Sequence, residues 1–279
     1  MTQNLFIRKT ALRLTNLRTA QTLNIDNLGI KFTIKKGETS TSNSSTIEVM
    51  NLSAKNRKFV EIAPETKGQD TLKGLFVELT AGYEAIQKII FVGDATAKNM
   101  FDPPNWITKL TCEDGGTELR TRNFQRSYAS GFPIQTVILD IVRSFNVDVG
   151  FIKPVITTDV VKHSMALSDT NKNLLDKFAE QYKFKWSIQN NAIQILDKDI
   201  PLPGTAIVIG PKNGLIKSPV KTDKGIEFET LLIPTLVPSA LVQLIGNDQF
   251  PGFLRINDAE YVGNNITGEY KAKIIAETV

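Results

Sequence analysis

Few residues of this 279-residue chain have the type and spacing that chemistry needs. Asp94 and Asp114 each stand beside a glycine, in Gly93-Asp94 and Asp114-Gly115. Two facing carboxylates could divide acid and base work. Both, however, fall at the ends of strand patterns, where Asp bonds to nearby backbone and makes turns. Gly210-Pro211-Lys212-Asn213-Gly214-Leu215-Ile216-Lys217-Ser218 has several residues of a phosphate-binding loop. Its spacing is wrong, because such a loop places the lysine directly after its last glycine. His163, the one histidine, precedes Ser164 without the glycines of a nucleophile elbow and reads as a surface or hairpin residue. Cys112, the one cysteine, excludes an intrachain disulfide and reads as a small buried hydrophobe in a strand. Arg120, Arg122 and Arg126 alternate with Phe124 and Tyr128. Such a strand could place cations on phosphates and rings on bases, as an oligonucleotide-binding barrel does. A solvated strand face, or a salt-bridge surface between chains, has the same composition. No catalytic, cofactor-binding or metal-ligating residue is assigned.

Composition sets the class. With 41% hydrophobic residues the chain can bury substantial cores, and its length favours two or three domains. The net charge is +4, from 33 basic and 29 acidic residues, and it is spread along the chain rather than gathered in a tail. That excess is too weak to imply nucleic acid by itself. No apolar window is long enough to span a bilayer, and Arg8, Lys9 and Arg13 are followed by no signal-peptide core. The expectation is a protein made in a cytoplasm without membrane insertion, in which the sequons at Asn43, Asn51 and Asn265 are chance matches.

The elements that would carry these residues are mostly strands. Residues 4–14 suggest a first strand, and 28–35 alternate with Ile30, Phe32 and Ile34 inward. A polar run, 36–45, precedes the strand 46–50, and Ser53 can cap a short helix that Pro64 bounds. Leu75, Val77 and Leu79 alternate into a turn at 81–83, the apolar run 89–92 returns, and Gly93-Asp94 punctuates. After Pro103-Pro104, the residues Trp106, Thr108, Leu110 and Cys112 share one face. Residues 119–129 read as a polar strand. From Pro133, Ile134, Val137, Ile138, Ile141, Val142 and Phe145 form one helical stripe. A second helix covers 169–182, capped by Ser168 or Asp169, with Leu174, Leu175, Phe178, Ala179 and Tyr182 inward. A hairpin then turns at Asn190-Asn191, with Trp186 expected in the insert core and Trp106 in a barrel core. Strand patterns return at 206–209, 225–232, 240–245, 260–262 and 269–276. Residues 106–113 and 270–277 echo each other, which suggests two related β domains. The expected units are 1–130, a first β domain; 131–200, a small α/β insertion module; and 201–279, a second β domain.

Taken in order, IEVMNLS at 47–53, LTAGY at 79–83, IFVGD at 90–94 and WITKLTCEDG at 106–115 resemble the central baseplate hub proteins of tailed bacteriophages. So do the segments 167–196, 214–244 and 260–276. That group is related to the late control D proteins and to the hub half of type VI secretion spikes. The resemblance implies a mainly β fold in which two tandem β-barrel domains, each like the tail-tube protein, are joined with an α/β insertion. It also implies a homotrimer whose ring adapts the sixfold tail tube to a threefold central spike or tail-tip protein. Such a ring leaves a channel for DNA and the tape-measure protein. The implied place is the virion tail baseplate, assembled in the host cytoplasm, with no enzyme activity, no cofactor and no sequence-specific nucleic-acid contact. Ile233 departs from the family, where a polar residue is commoner, and the short C-terminus leaves the spike to another chain. The alternative reading from composition is a nucleic-acid-binding protein with oligonucleotide-binding-like barrels.

Overall fold

A computed structural model describes residues 7–61, 74–84, 86–116, 122–153, 158–198, 200–246, 249–250 and 252–279. The fold is mainly β with large antiparallel sheets, as the alternating apolar pattern implies. The N-terminal strands are β1 (Arg8–Asn16), β2 (Thr22–Ile25), β3 (Ile30–Gly37) and β4 (Ser44–Met50). After a one-turn-plus helix, α1 (Ala54–Val60), come β5 (Leu75–Tyr83), β6 (Ile86–Asp102) and β7 (Asn105–Glu113). Ser53 caps α1 as expected, its hydroxyl accepting from the Asn56 amide at 3.3 Å. Pro64 lies outside the described residues.

The strand β6 does not stop at Gly93-Asp94. It runs through them to the Pro103-Pro104 corner, pairing with β5 along its first half and β7 along its second. Glycine is needed at 93 because a Cβ there would lie 2.4 Å from the Glu113 carbonyl oxygen, so what reads as a turn is a close crossing of backbones. A bulge opposite Leu79 and Thr80 turns both Ile90 and Phe91 inward.

The middle of the chain forms β8 (Asn123–Tyr128), α2 (Ile134–Arg143), β9 (Asp148–Ile152), β10 (Met165–Thr170), α3 (Asn171–Tyr182), β11 (Phe184–Gln189) and β12 (Ala192–Asp197). All six residues of the α2 stripe are buried. The cap of α3 is Thr170, not Ser168 or Asp169, because β10 holds both of those extended against β8. Asn190 and Asn191, at φ 53° and 62°, make the tight turn between β11 and β12. β9 joins that hairpin in parallel, a pairing with no sequence signal of its own.

The C-terminal strands are β13 (Ile207–Ile209), β14 (Leu215–Thr222), β15 (Gly225–Leu231), β16 (Leu241–Leu244), β17 (Phe253–Asn264) and β18 (Tyr270–Thr278). Among the described residues, a 13-stranded sheet runs in the order β14-β15-β18-β17-β3-β4-β7-β6-β5-β1-β2, with β16 also pairing with β17 and β13 pairing with β16. Its two halves, from opposite ends of the sequence, meet where β3 pairs with β17 over seven residue pairs. They share one apolar cluster, in which Phe32, Phe91, Phe228 and Tyr261 are fully buried. A second cluster holds residues of the middle segment and includes Phe124 and Tyr128, so β8 packs with the insert. The echoing segments form β7 and β18, each flanked by a strand on both sides and turning Leu110, Cys112 or Ile274, Ala276 inward.

Candidate functional site

The polar run 36–45 carries chemistry that its composition conceals. Ile30, Phe32 and Ile34 point inward on β3, and the same alternation carries Lys36 and Glu38 inward too, to 3% and 9% exposure. There the apolar core has ended, and these residues meet the insert. Asn43, also buried, donates from its amide to the Ile188 carbonyl at 2.8 Å, to Gln189 Oε1 at 3.0 Å and to Asp114 at 3.2 Å. Asp114 accepts the backbone amides of Asn190 and Asn191, both at 2.6 Å. The Lys36 ammonium donates to Asn190 Oδ1, and Gln189 donates to the Gly37 carbonyl at 2.7 Å. Gly115 (φ 63°) lets β7 turn away, and a side chain there would strike Ile188 at 2.7 Å.

Beside this cluster, Glu38 binds Arg255 at 3.2 Å and Lys185 at 2.5 Å, while Arg255 also donates to the Lys198 carbonyl at 2.5 Å. Sheet and insert are therefore clamped by buried polar groups at two adjacent points. Burial pushes the Asp114 carboxyl up to about 6, with the Lys36 charge and the amide donors opposing that rise. Burial likewise pulls the Lys36 ammonium down to about 8, against the attraction of Asp114. Both oxygens of Asp114 accept from donors of the chain itself, so what this carboxylate does is hold the insert hairpin against the sheet.

The residues singled out for chemistry do not converge. Asp94 sits within β6, paired in register with Phe76 and Glu113, and Asp114 is the buried clamp just described, so they are not a working pair. His163 is exposed. Gly210 does not open a phosphate cradle: its carbonyl accepts the amides of Asn213 and Leu215, closing a turn that enters β14. In the 119–129 segment, residues 119–121 lie outside the described residues. Phe124 and Tyr128 face the insert's apolar cluster instead of presenting rings to bases, and Arg126 binds Asp140 at 2.8 Å. Cys112 is buried as expected. Trp186 is in the insert core, but Trp106 is 39% exposed at the tip of the β6–β7 hairpin, because the strands outlast the core that their alternation faces. Among the described residues no group of His, Cys, Asp and Glu could hold a metal, and no helix is long and apolar enough to cross a membrane.

The sequence profile of the family described as baseplate hub gp41 matches residues 9–245. No curated protein is similar enough in sequence to match. Among solved structures the fold is similar to the 43 kDa tail protein of prophage MuSo2 from Shewanella oneidensis, with TM-score 0.63, 9% identity and 96% of each chain covered. The tail protein from Neisseria meningitidis MC58 gives TM-score 0.62 at 8% identity, again over 96% of each chain. The E. coli c3393 protein, a type VI secretion component described as similar in structure to T4 bacteriophage tail proteins gp27 and gp5, gives TM-score 0.59 at 12% identity, over 90% of this chain and 73% of that one. At these identities the likeness is one of fold.

Proposed function

The chain belongs to the baseplate hub gp41 family of phage tail structural proteins, and from that membership we propose that three copies close into a ring at the centre of a tail baseplate. The ring adapts a sixfold tail tube to a threefold spike or tail-tip protein and leaves a channel for DNA and the tape-measure protein. Each copy offers two β units, drawn from 1–130 and 201–279, so that three chains present six similar positions, with the insert 131–200 and the β8 strand that packs on it held to one side. The family match over 9–245 carries this reading. The sheet is consistent with it. Among the described residues its main path runs from β14 to β2, with β13 ending a side branch, and unlike edges suit a head-to-tail contact, which closes into a ring when the rotation between copies is right.

The place of action is then the virion tail, with assembly in the host cytoplasm. The nucleic-acid-binding alternative loses its main support once Phe124 and Tyr128 are buried in the insert. Light scattering on the purified chain, across a concentration series at moderate and high salt, tests the ring. A mass near three times 30.9 kDa that persists in high salt is the expected result. A chain that stays monomeric both alone and with the purified tube and spike proteins of the same tail overturns it.

A further inference from the structure

The β6–β7 hairpin is built like an interior and left uncovered. On its inward side Ala95, Leu110 and Cys112 are buried in the sheet's core, and further out Asn99 is held by Thr108 at 2.6 Å and by Glu61 at 2.9 Å. At the end of the same stripe Phe101 and Trp106 face each other in register with ring centroids 5.2 Å apart, yet are 56% and 39% exposed. Met100, on the other side of the strand, is 37% exposed. The Arg57 guanidinium of α1 lies 4.1 Å from the Trp106 ring centroid and is fixed by its bond to the Leu52 carbonyl at 2.6 Å. Exposed rings beside an immobilised arginine are the residues that dominate protein interfaces, because they bury large areas at low entropic cost.

Charge says which surface fits. Lys55 and Lys58 on α1, and Lys98 directly opposite Lys109 on the hairpin, make no ion pair among the described residues. These two lysines lie on the Met100 side of the hairpin, where Glu48 faces Lys109 from β4 but Lys98 has only Lys109 opposite it, and a further carboxylate from a partner would lower their repulsion. A second copy meeting tip to tip would set these cations against themselves. The tip also carries two exposed acids, Asp102 beside Phe101 and Glu61 just after α1, against the cations Lys55, Arg57, Lys58, Lys98 and Lys109, so it keeps a net positive charge. We propose that the β6–β7 tip is a docking knob for a different protein, one presenting an apolar recess flanked by carboxylates. The tail reading enters only in where that partner is sought, among the proteins made with this chain.

The probe is the full chain with p-benzoylphenylalanine in place of Phe101, an exposed position, produced together with its neighbouring tail genes and irradiated in the cell. The expected result is one adduct, to a protein of different sequence, mapping beside Asp or Glu residues. Trp106→Ala, or Lys55→Glu with Lys58→Glu, should lower its yield roughly 10-fold or more, and reversing the partner's carboxylates to lysine should restore the latter. Circular dichroism of each purified variant checks the fold, and the same probe at Met100 gives a second reading. An adduct of the chain with itself, with a non-protein component, or with nothing at either position overturns the knob. Purified tails that lack this chain would overturn the hub reading instead, and the cellular adduct still decides the knob.

Discussion

The molecule is joined to itself in two places, and the joints are made of opposite materials. Where the two halves of the sheet meet, β3 and β17 are held by a backbone ladder over an apolar interior, with Phe32 lying across Gly263 so closely that a Cβ there would meet the ring at 2.3 Å. Nearby, Tyr261 donates to the Leu236 carbonyl at 2.5 Å, and the Tyr270 hydroxyl bridges β18 to β1 and β5. Where the insert meets the sheet, Lys36, Glu38, Asn43, Asp114 and Arg255 do the work by hydrogen bonds and charge. An apolar seam gains from area and tolerates small shifts, so it makes one body of two halves. A buried polar clamp gains little net energy but fails when geometry is lost, so it fixes where the insert points.

Breaking the seam should therefore have the largest effect and a global one. Phe32→Ala removes a fully buried ring from the cluster shared by both halves and should cost about 3 to 5 kcal/mol. Urea unfolding followed by far-ultraviolet circular dichroism should show a single transition at lower midpoint. A variant in which one half unfolds well before the other would show that the seam does not couple them.

Breaking the clamp should cost less and act on the insert. Asp114→Asn keeps the shape but turns one amide toward donors, leaving a backbone amide of Asn190 or Asn191, or the Asn43 side chain, without an acceptor, for about 1 to 3 kcal/mol. Hydrogen exchange should quicken at residues 188–191 and in 36–43 while β17 and β18 keep their protection. Equal loss of protection throughout would mean that insert and sheet are one cooperative unit.

The difference between the joints also decides what the sequence could tell. The α2 stripe and the Asn190-Asn191 hairpin were legible because their signals are local, in apolar offsets of three and four and in two asparagines tolerant of positive φ. The seam was legible as strands but not as a pairing, since β3 and β17 are more than two hundred residues apart. The clamp was hidden because KGETSTSNSS has the composition of a solvated loop and Asp114 beside Gly115 reads as a turn. One signal was available: the inward parity of Ile30, Phe32 and Ile34 continues to Lys36 and Glu38, and a charge on the buried side of a strand needs a partner. Parity misled at Trp106, where alternation gives the face but not the point at which the core runs out.

A finer probe of the clamp is its dependence on pH. The Asp114 carboxyl, raised from an ordinary value of 3.8 to about 6, holds a proton in the folded state that the unfolded chain has lost. Between about pH 4 and 6 this group therefore favours the folded state as pH falls, and its contribution fades as pH rises through 6. Lys36→Met removes the charge that restrains the rise, so the window should extend to higher pH. Urea midpoints measured every half unit from pH 4.5 to 7.0, where Lys36 itself stays almost wholly charged, should show the variant's dependence moved upward. An unmoved profile would mean that the two charges do not sense each other.

The smallest effect is expected on the sheet's outer face, where Lys273–Glu227 at 3.0 Å and Lys35–Glu260 at 3.7 Å belong to a ladder of crossed pairs. These look like the clamp in a list of contacts, yet water reaches them: Lys273 is 40% and Lys35 69% exposed along the side chain. Solvent screens the attraction, and ordering two long side chains opposes it, so Lys273→Ala should change stability by no more than about 0.5 kcal/mol. Its urea midpoint should match the parent protein's at high salt and differ barely at low salt. A loss as large as that of Asp114→Asn would place this face under cover in the free chain, and the distinction between a clamp that fixes geometry and a ladder that merely balances charge would then rest on burial that the monomer does not have.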